Sequence, residues 1–261
     1  MARLTEKARP RGADQEWLIV VLPLAAGLLG AYFFSTWVAI AATLLSAVML
    51  LSRDLPYAKD IGDRHSLIRK VPHVIGGTYL AIFISLGIVW PAAGLLAASV
   101  ISYSALIIIT RSRAQTGKVT EFASRFGILR YDSETRRVHS YLSSPFSAFF
   151  AIGVLLILFP RYPALAGIIA LTAGDTVAAF VGVRSKTRLP IPGSMKTLEG
   201  SSAMFLSTLI LTFVITNALV PSLVSSAVAT IVEALPGPFD DNFLVPFLTA
   251  VVFLATLWLL A

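Results

Sequence analysis

Asp175 stands in a stretch, Ala164 to Val183, that is otherwise apolar enough to cross a membrane. An aspartate near a bilayer centre costs on the order of 2.5–3.5 kcal/mol on insertion scales, so it is expected to serve a function and to have a partner. The following loop carries Arg184, Lys186 and Arg188, then Pro190-Ile191-Pro192-Gly193, then Lys196-Thr197-Leu198-Glu199-Gly200-Ser201. Cations neutralise phosphate oxygens and a carboxylate holds a divalent metal, so this combination suits a metal-bound nucleotide phosphate. Gly200-Ser201, just ahead of the next apolar stretch, is placed to offer backbone N–H groups to an anion. Taken alone, the basic residues mark a cytoplasmic loop equally well.

Two further groups carry chemistry. Arg69-Lys70-Val71-Pro72-His73 stands at the entrance to an apolar stretch and could grip phosphate or help move a hydroxyl proton, although cations beside membrane helices are common. Near the carboxy end Glu233 closes one stretch, and Asp240-Asp241-Asn242, followed by Pro246, opens the next. No Lys or Arg follows Lys196, so these acids point to a metal ion or to the distant basic loops, with one aspartate expected to be a helix cap. His65 and His139 have no spacing partners, which argues against a histidine metal site. Around Asp175, Ala170, Gly174, Ala178 and Gly182 recur every four residues, a ridge of the kind that packs against another helix or, beside a carboxylate, leaves room for a ligand. The chain has no P-loop, no dinucleotide-binding glycine motif, no protein-kinase triplet and no His-Glu-x-x-His, which excludes the soluble nucleotide folds.

The elements that must position these residues are membrane helices. Of 261 residues 56% are hydrophobic and only 13% charged, too little charge for a soluble domain of this length. Long apolar runs predict an all-α bundle of about nine spans, near 17–34, 36–51, 74–90, 92–110, 146–160, 163–183, 203–220, 222–235 and 243–260, and exclude a β-barrel. Alternate connections, at Ser35-Thr36, Trp90-Pro91, Pro160 to Pro163 and Pro221-Ser222, are short enough for tight hairpins. The other connections hold twenty of the twenty-one Lys and Arg residues, leaving Arg161 alone on the opposite side. By the positive-inside rule the amino terminus and these loops are cytoplasmic. Residues 1–16 form a basic cytoplasmic segment, and 17–261 a single transmembrane domain whose first span is retained rather than cleaved. Charge confined to the loops of a membrane protein argues against nucleic acid as a partner, and the absence of cysteine excludes disulfides and a thiolate nucleophile. No internal repeat is found, which counts modestly against a carrier.

Four blocks, in order, resemble the CTP-dependent lipid-alcohol kinases that include dolichol kinase and phytol kinase. They are Arg69-Lys70-x-x-His73; Gly174-Asp175-Thr176-x-Ala178 with Gly182; Lys196-Thr197-x-Glu199-Gly200-Ser201; and Glu233 with Asp241-Asn242-x-x-x-Pro246. The middle two blocks are also similar to CDP-diacylglycerol and CDP-archaeol synthases, but the long carboxy-terminal motif of the diacylglycerol synthases is absent. Where the kinases often have Gly-Lys after the Gly-Asp block, this chain reads Gly182-Val183-Arg184-Ser185-Lys186. The resemblance implies transfer of the γ-phosphoryl group of CTP to a membrane-embedded isoprenoid alcohol. It implies catalytic roles for Asp175, Lys196, Glu199 and His73, and Mg²⁺ held among Asp175, Glu199, Glu233 and Asp241. Nucleotide contacts would come from Arg69, Lys70, Gly174, Lys186, Thr197, Gly200, Ser201 and Asn242. The working face would be cytoplasmic, on the plasma membrane of a prokaryote or the ER or plastid membrane of a eukaryote. The alternatives are a cytidylyltransferase making a CDP-lipid and a lipid-binding or transport protein without chemistry.

Overall fold

The computed structural model describes residues 18–51, 66–112, 129–132, 137–140, 143–236 and 240–261. The basic segment 1–16 lies outside them. Eight helices follow in order: α1 (Leu18–Leu51), α2 (Ser66–Ser85), α3 (Trp90–Ser112), α4 (Ser143–Leu158), α5 (Arg161–Gly182), α6 (Leu198–Thr216), α7 (Leu219–Ala234) and α8 (Asp241–Leu260). Between α3 and α4, Leu129–Asp132 and Arg137–Ser140 pair as a short antiparallel hairpin, β1 and β2, an exception to the all-α expectation. Among the described residues four helical segments are long and apolar enough to cross a membrane: Val21–Val48, Arg161–Gly182, Leu198–Thr216 and Asp241–Leu260.

The first of these is two arms. Phe34 leaves the helical region at φ −141°, ψ 49°, and a Cβ built on Gly30 would lie 3.4 Å from Val38 Cγ2. Eight residues of straight helix separate such groups by ~12 Å along the axis, so the chain reverses at Phe34, one residue from the expected Ser35-Thr36 break. Tyr32 beside the turn meets the Trp90 ring edge-on at 5.4 Å. At the same end the Arg161 guanidinium donates to the Ser85 carbonyl, so the turn after α2 and the turn before α5 lie together. Pro91, Pro145, Pro163 and Pro221 each fall in the first turn of a helix, where their missing N–H has no intrahelical partner to lose. That corrects two boundaries. The break expected at Trp90-Pro91 lies before it, at 86–89, and Trp90 opens α3. The break expected at Pro221-Ser222 lies at Asn217-Ala218, where Asn217 adopts the left-handed conformation (φ 53°) that ends α6.

The centre of the bundle is α5, 61% buried against 28% for α6 and for α8. Leu165, Ile168 and Leu171 of α5 pack with Leu80 and Ile84 of α2, Leu96 and Val100 of α3, and Phe146 and Leu155 of α4. The peripheral helices are inverted relative to a soluble protein: α6 exposes Leu206, Ile210 and Val214 while burying Thr208 and Thr212, and α7 exposes Leu223, Val224 and Ile231 while burying Ser222, Ser225 and Ser226. This is the arrangement of helices solvated by lipid, where apolar surface has no reason to turn inward and small polar residues allow close approach.

Close approach recurs at glycine–threonine crossings. A Cβ at Gly77 of α2 would overlap Thr172 of α5, one at Gly153 of α4 would overlap Thr43 of α1, and one at Gly174 of α5 would overlap Thr208 of α6. A Gly153→Ala substitution is expected to destabilise the protein by about 1–3 kcal/mol through this overpacking. Adding Thr43→Ala should restore most of the loss in detergent-unfolding measurements, and strictly additive losses would show that the two residues do not share the crossing.

Candidate functional site

The amino-terminal half of α5 is enclosed on all sides: every residue from Pro163 to Thr172 is buried. Its helical register then changes. Ala170–Gly174 forms one π-helical turn, closed by the Asp175 N–H reaching back to the Ala170 carbonyl, and beyond it only Ala178 is buried before the helix ends at Gly182. Asp175 therefore occupies the point where α5 leaves the closed core. A π turn inserts one residue and rotates the remainder of the helix by about 100°, a distortion often found at functional sites.

The ridge along α5 is a packing surface. Gly174 faces Thr208 and Met204 of α6, and a Cβ at Gly200 would lie 3.0 Å from the Ala178 carbonyl and 3.3 Å from Gly182 Cα. Gly174 and Gly200 thus bring α5 and α6 together. Their backbones are engaged as well. Thr197 is the N-cap of α6, its Oγ1 accepting from the Gly200 N–H at 3.2 Å and its carbonyl accepting from Ser201 N–H at 2.9 Å. The anion site expected from the Gly200 and Ser201 N–H groups is therefore already occupied by the cap.

The connection from α5 to α6 is an ordered hairpin. Leu189 N–H donates to the Lys196 carbonyl (3.0 Å), Leu198 N–H donates to the Thr187 carbonyl (2.9 Å), and Arg188 bridges Thr197 in antiparallel fashion. Gly193, at φ 80°, makes the turn, a conformation that disfavours any side chain there. The loop is tied to the end of α7: Ser194 Oγ donates to the Ala234 carbonyl at 2.8 Å, and the Lys196 ammonium forms a hydrogen-bonded ion pair with Glu233. Glu233 is 4% exposed and the Lys196 side chain 38%.

Lys196 gathers the acids. Burial pushes its ammonium pKa down, but Glu233 by charge and hydrogen bond, then Asp175 and Asp241 by charge, outweigh this and raise it above the usual lysine value. Carboxylates from α5, α7 and the start of α8 thus act on one cation from the loop. Of the two adjacent aspartates, Asp240 is the cap: its Oδ1 accepts from the Asn242 backbone N–H at 2.9 Å and from Asn242 Nδ2 at 2.8 Å. Asp241 is left to face the cluster. Asn242, expected on the nucleotide, spends its amide on this cap.

The other expected residues divide. Glu199 lies by the Thr187 and Ser185 hydroxyls. Among the described residues no three His, Asp or Glu side chains are grouped to hold a metal by themselves. Lys186 is exposed on the loop, and Arg184 lays its guanidinium 4.1 Å over the Phe180 ring. Arg69, Lys70 and His73 lie within α2, which begins at Ser66 rather than beyond His73, and their side chains fall outside the described residues. In the segments flanking the hairpin, Thr176 Oγ1, Glu199 Oε2 and Ser201 Oγ are buried with no protein hydrogen-bond partner. The Lys196–Glu233 pairing was not legible by spacing, although the lack of any basic residue after Lys196 pointed the carboxy-terminal acids toward an earlier loop.

Fold and site together define a helical membrane protein with a charged cluster at the helix ends opposite the Phe34 and Arg161 turns. No family model, curated protein or solved structure matches the chain.

Replacing Lys196 with Gln leaves Glu233 buried without its counter-charge and is expected to cost about 2–3 kcal/mol, less than a fully buried pair because the lysine is partly exposed. Since the folded-state pKa of Lys196 is raised, the contribution is complete below the ordinary lysine value of about 10.4 and is lost as pH rises through the higher folded value. The gap in unfolding midpoint between wild type and Lys196→Gln should stay constant from about pH 6 to 9 and close only in stronger alkali. A gap that closes near neutrality would contradict the pairing.

Proposed function

We propose that the protein is a multi-pass integral-membrane kinase that transfers the γ-phosphoryl group of CTP to the hydroxyl of a long-chain isoprenoid alcohol, yielding a lipid monophosphate and CDP. The observation that carries the reading is the convergence of Asp175, Glu233 and Asp241 on Lys196 at one end of the bundle. These residues fall in three of the four blocks that resemble lipid-alcohol kinases. In this reading the chain crosses the membrane nine times, the two arms of α1 counting separately, with its amino terminus and the cluster on the cytoplasmic side.

Phosphoryl transfer is chiefly positioning and charge stabilisation, which suits a cluster poor in nucleophiles. Lys196 binds the phosphates, exchanging part of its contact with Glu233 for phosphate oxygens, and Arg184, Lys186 and Arg188 draw the nucleotide toward the loop. Mg²⁺ is commonly held by one or two carboxylates together with substrate phosphates, so the lack of a three-acid group among the described residues fits, with Asp175 and Asp241 as its protein ligands. Bound there, the metal would neutralise charge on the β- and γ-phosphates. The alcohol oxygen attacks the γ-phosphorus, the bond to the CDP oxygen breaks, and the hydroxyl proton passes to His73 or a carboxylate of the cluster. A polyprenol leaves the bilayer only at ~0.8 kcal/mol per CH₂, so a site at the helix ends lets lipid and CTP each arrive from its own phase.

The test is labelled CTP offered with farnesol, geranylgeraniol, phytol, dolichol and diacylglycerol in proteoliposomes. Label from the γ position should enter an alcohol. Label from the α position with pyrophosphate release would instead identify a cytidylyltransferase, and unlabelled lipid throughout would reject both reactions. Asp175→Asn should abolish turnover while the unfolding midpoint stays near wild type, and full turnover in that variant would remove Asp175 from the mechanism.

A further inference from the structure

Between α6 and α7 runs a seam of hydroxyl groups that the charged cluster does not use. The two helices are antiparallel, joined at Asn217-Ala218, with Thr216 Oγ1 and Ser222 Oγ 3.4 Å apart at the turn and the Lys196–Glu233 pair at the other end. Along α6 the buried face reads Gly200, Ser201, Met204, Thr208 and Thr212, and along α7 it includes Ser222, Ser225, Ser226, Ala229 and Glu233. Thr208, Thr212, Ser222, Ser225 and Ser226 are all 0% exposed. From Ser201 to Thr212, and from Glu233 to Ser222, the seam extends ~16 Å into the bundle.

Four of these hydroxyls, Ser201 Oγ, Thr208 Oγ1, Thr212 Oγ1 and Ser226 Oγ, have no hydrogen-bond partner in the protein. That is not the habit of this chain. Thr43, Ser46, Ser104, Thr172 and Thr249, equally buried, each donate to the carbonyl four residues earlier at 2.6–2.7 Å. Thr208 and Thr212 make no such bond. Thr208 Oγ1 points at the crossing with Gly174, on the π turn of α5. An unmet buried hydroxyl is costly and lipid offers no partner, so four together would weigh heavily against the fold.

We propose that this seam binds a short file of water molecules along its Thr208, Thr212 and Ser226 hydroxyls. Water is the occupant the chemistry selects. Each hydroxyl both donates and accepts, as water does, and the seam's one ionised side chain among the described residues, Glu233, is already paired, so neither a cation nor an anion finds a counter-charge. The inference does not depend on the reaction the cluster performs.

Threonine-to-valine exchange keeps shape and removes the hydroxyl, and its sign decides the matter. Where Thr208 and Thr212 hold water, Thr208→Val and Thr212→Val each lower the unfolding midpoint in detergent by roughly 2–4 °C, whereas Thr208→Ser retains it. In a dry seam the same exchanges leave the midpoint unchanged or raise it, which overturns the proposal. A second reading is independent of stability. The chain has no cysteine, so Thr212→Cys and Val214→Cys carry single thiols, the latter on the outward, 71% exposed face of α6. Brief exposure of the reconstituted protein to aqueous Ag⁺, a water-sized probe, followed by quenching, denaturation and maleimide titration, should find the thiol blocked at 212 and intact at 214. An intact thiol at 212 also overturns the proposal.

Discussion

A buried carboxylate that cannot be left alone governs this end of the molecule. Glu233 is almost fully enclosed, and removing one partner of such a pair is far more damaging than never having built it, because the surviving charge has neither water nor counter-ion. Lys196 must therefore be delivered to it. That requirement accounts for the hairpin after α5, with its left-handed glycine and backbone bridge, and for the second tie from Ser194 to the last turn of α7. It also brings Asp175 and Asp241 within the field of one cation. A membrane helix tolerates an acid such as Asp175 only where protein supplies compensation, and Lys196 supplies it.

The lipid environment explains why the rest of the bundle looks inside out. With no hydrophobic drive between helices in hydrocarbon, the elements are held by close backbone approach and small polar contacts. The glycine–threonine crossings meet that need at α1–α4, α2–α5 and α5–α6. Each is specific: the threonine needs a hole the size of a missing methyl, and the glycine needs a neighbour that fills it.

The legibility of each feature in the residues depends on the kind of signal it leaves there. Helices were legible because lipid exposure writes itself as long apolar runs, and the reversal at Phe34 was legible to within a residue because polar Ser35-Thr36 interrupts one. The Asp240 cap was legible as one of two adjacent aspartates before a helix. The π turn was not, since Ala170 to Gly174 reads as ordinary helix. The regular four-residue ridge was legible as a helix-packing surface, and it packs against α6, although glycine spacing reports close approach without saying what approaches. The contact of Glu199 with the loop hydroxyls of Ser185 and Thr187 was not legible, because it depends on how the hairpin folds back on the start of α6.

The double tie between the hairpin and α7 has a mechanical consequence. Ser194 and Lys196 are two residues apart on one strand of the loop and grip consecutive residues of α7, Ala234 and Glu233, while Gly193 rests against Pro236. Loop and helix end are thus coupled as a lever to its fulcrum. Anything that pulls Lys196 away from its carboxylate still leaves Ser194 holding Ala234, so the hairpin pivots about that hydrogen bond rather than swinging free. The direction of that pivot is set by the chain itself: the strand leading from Lys196 runs straight into the Thr197 cap, and its motion is delivered to the first turn of α6.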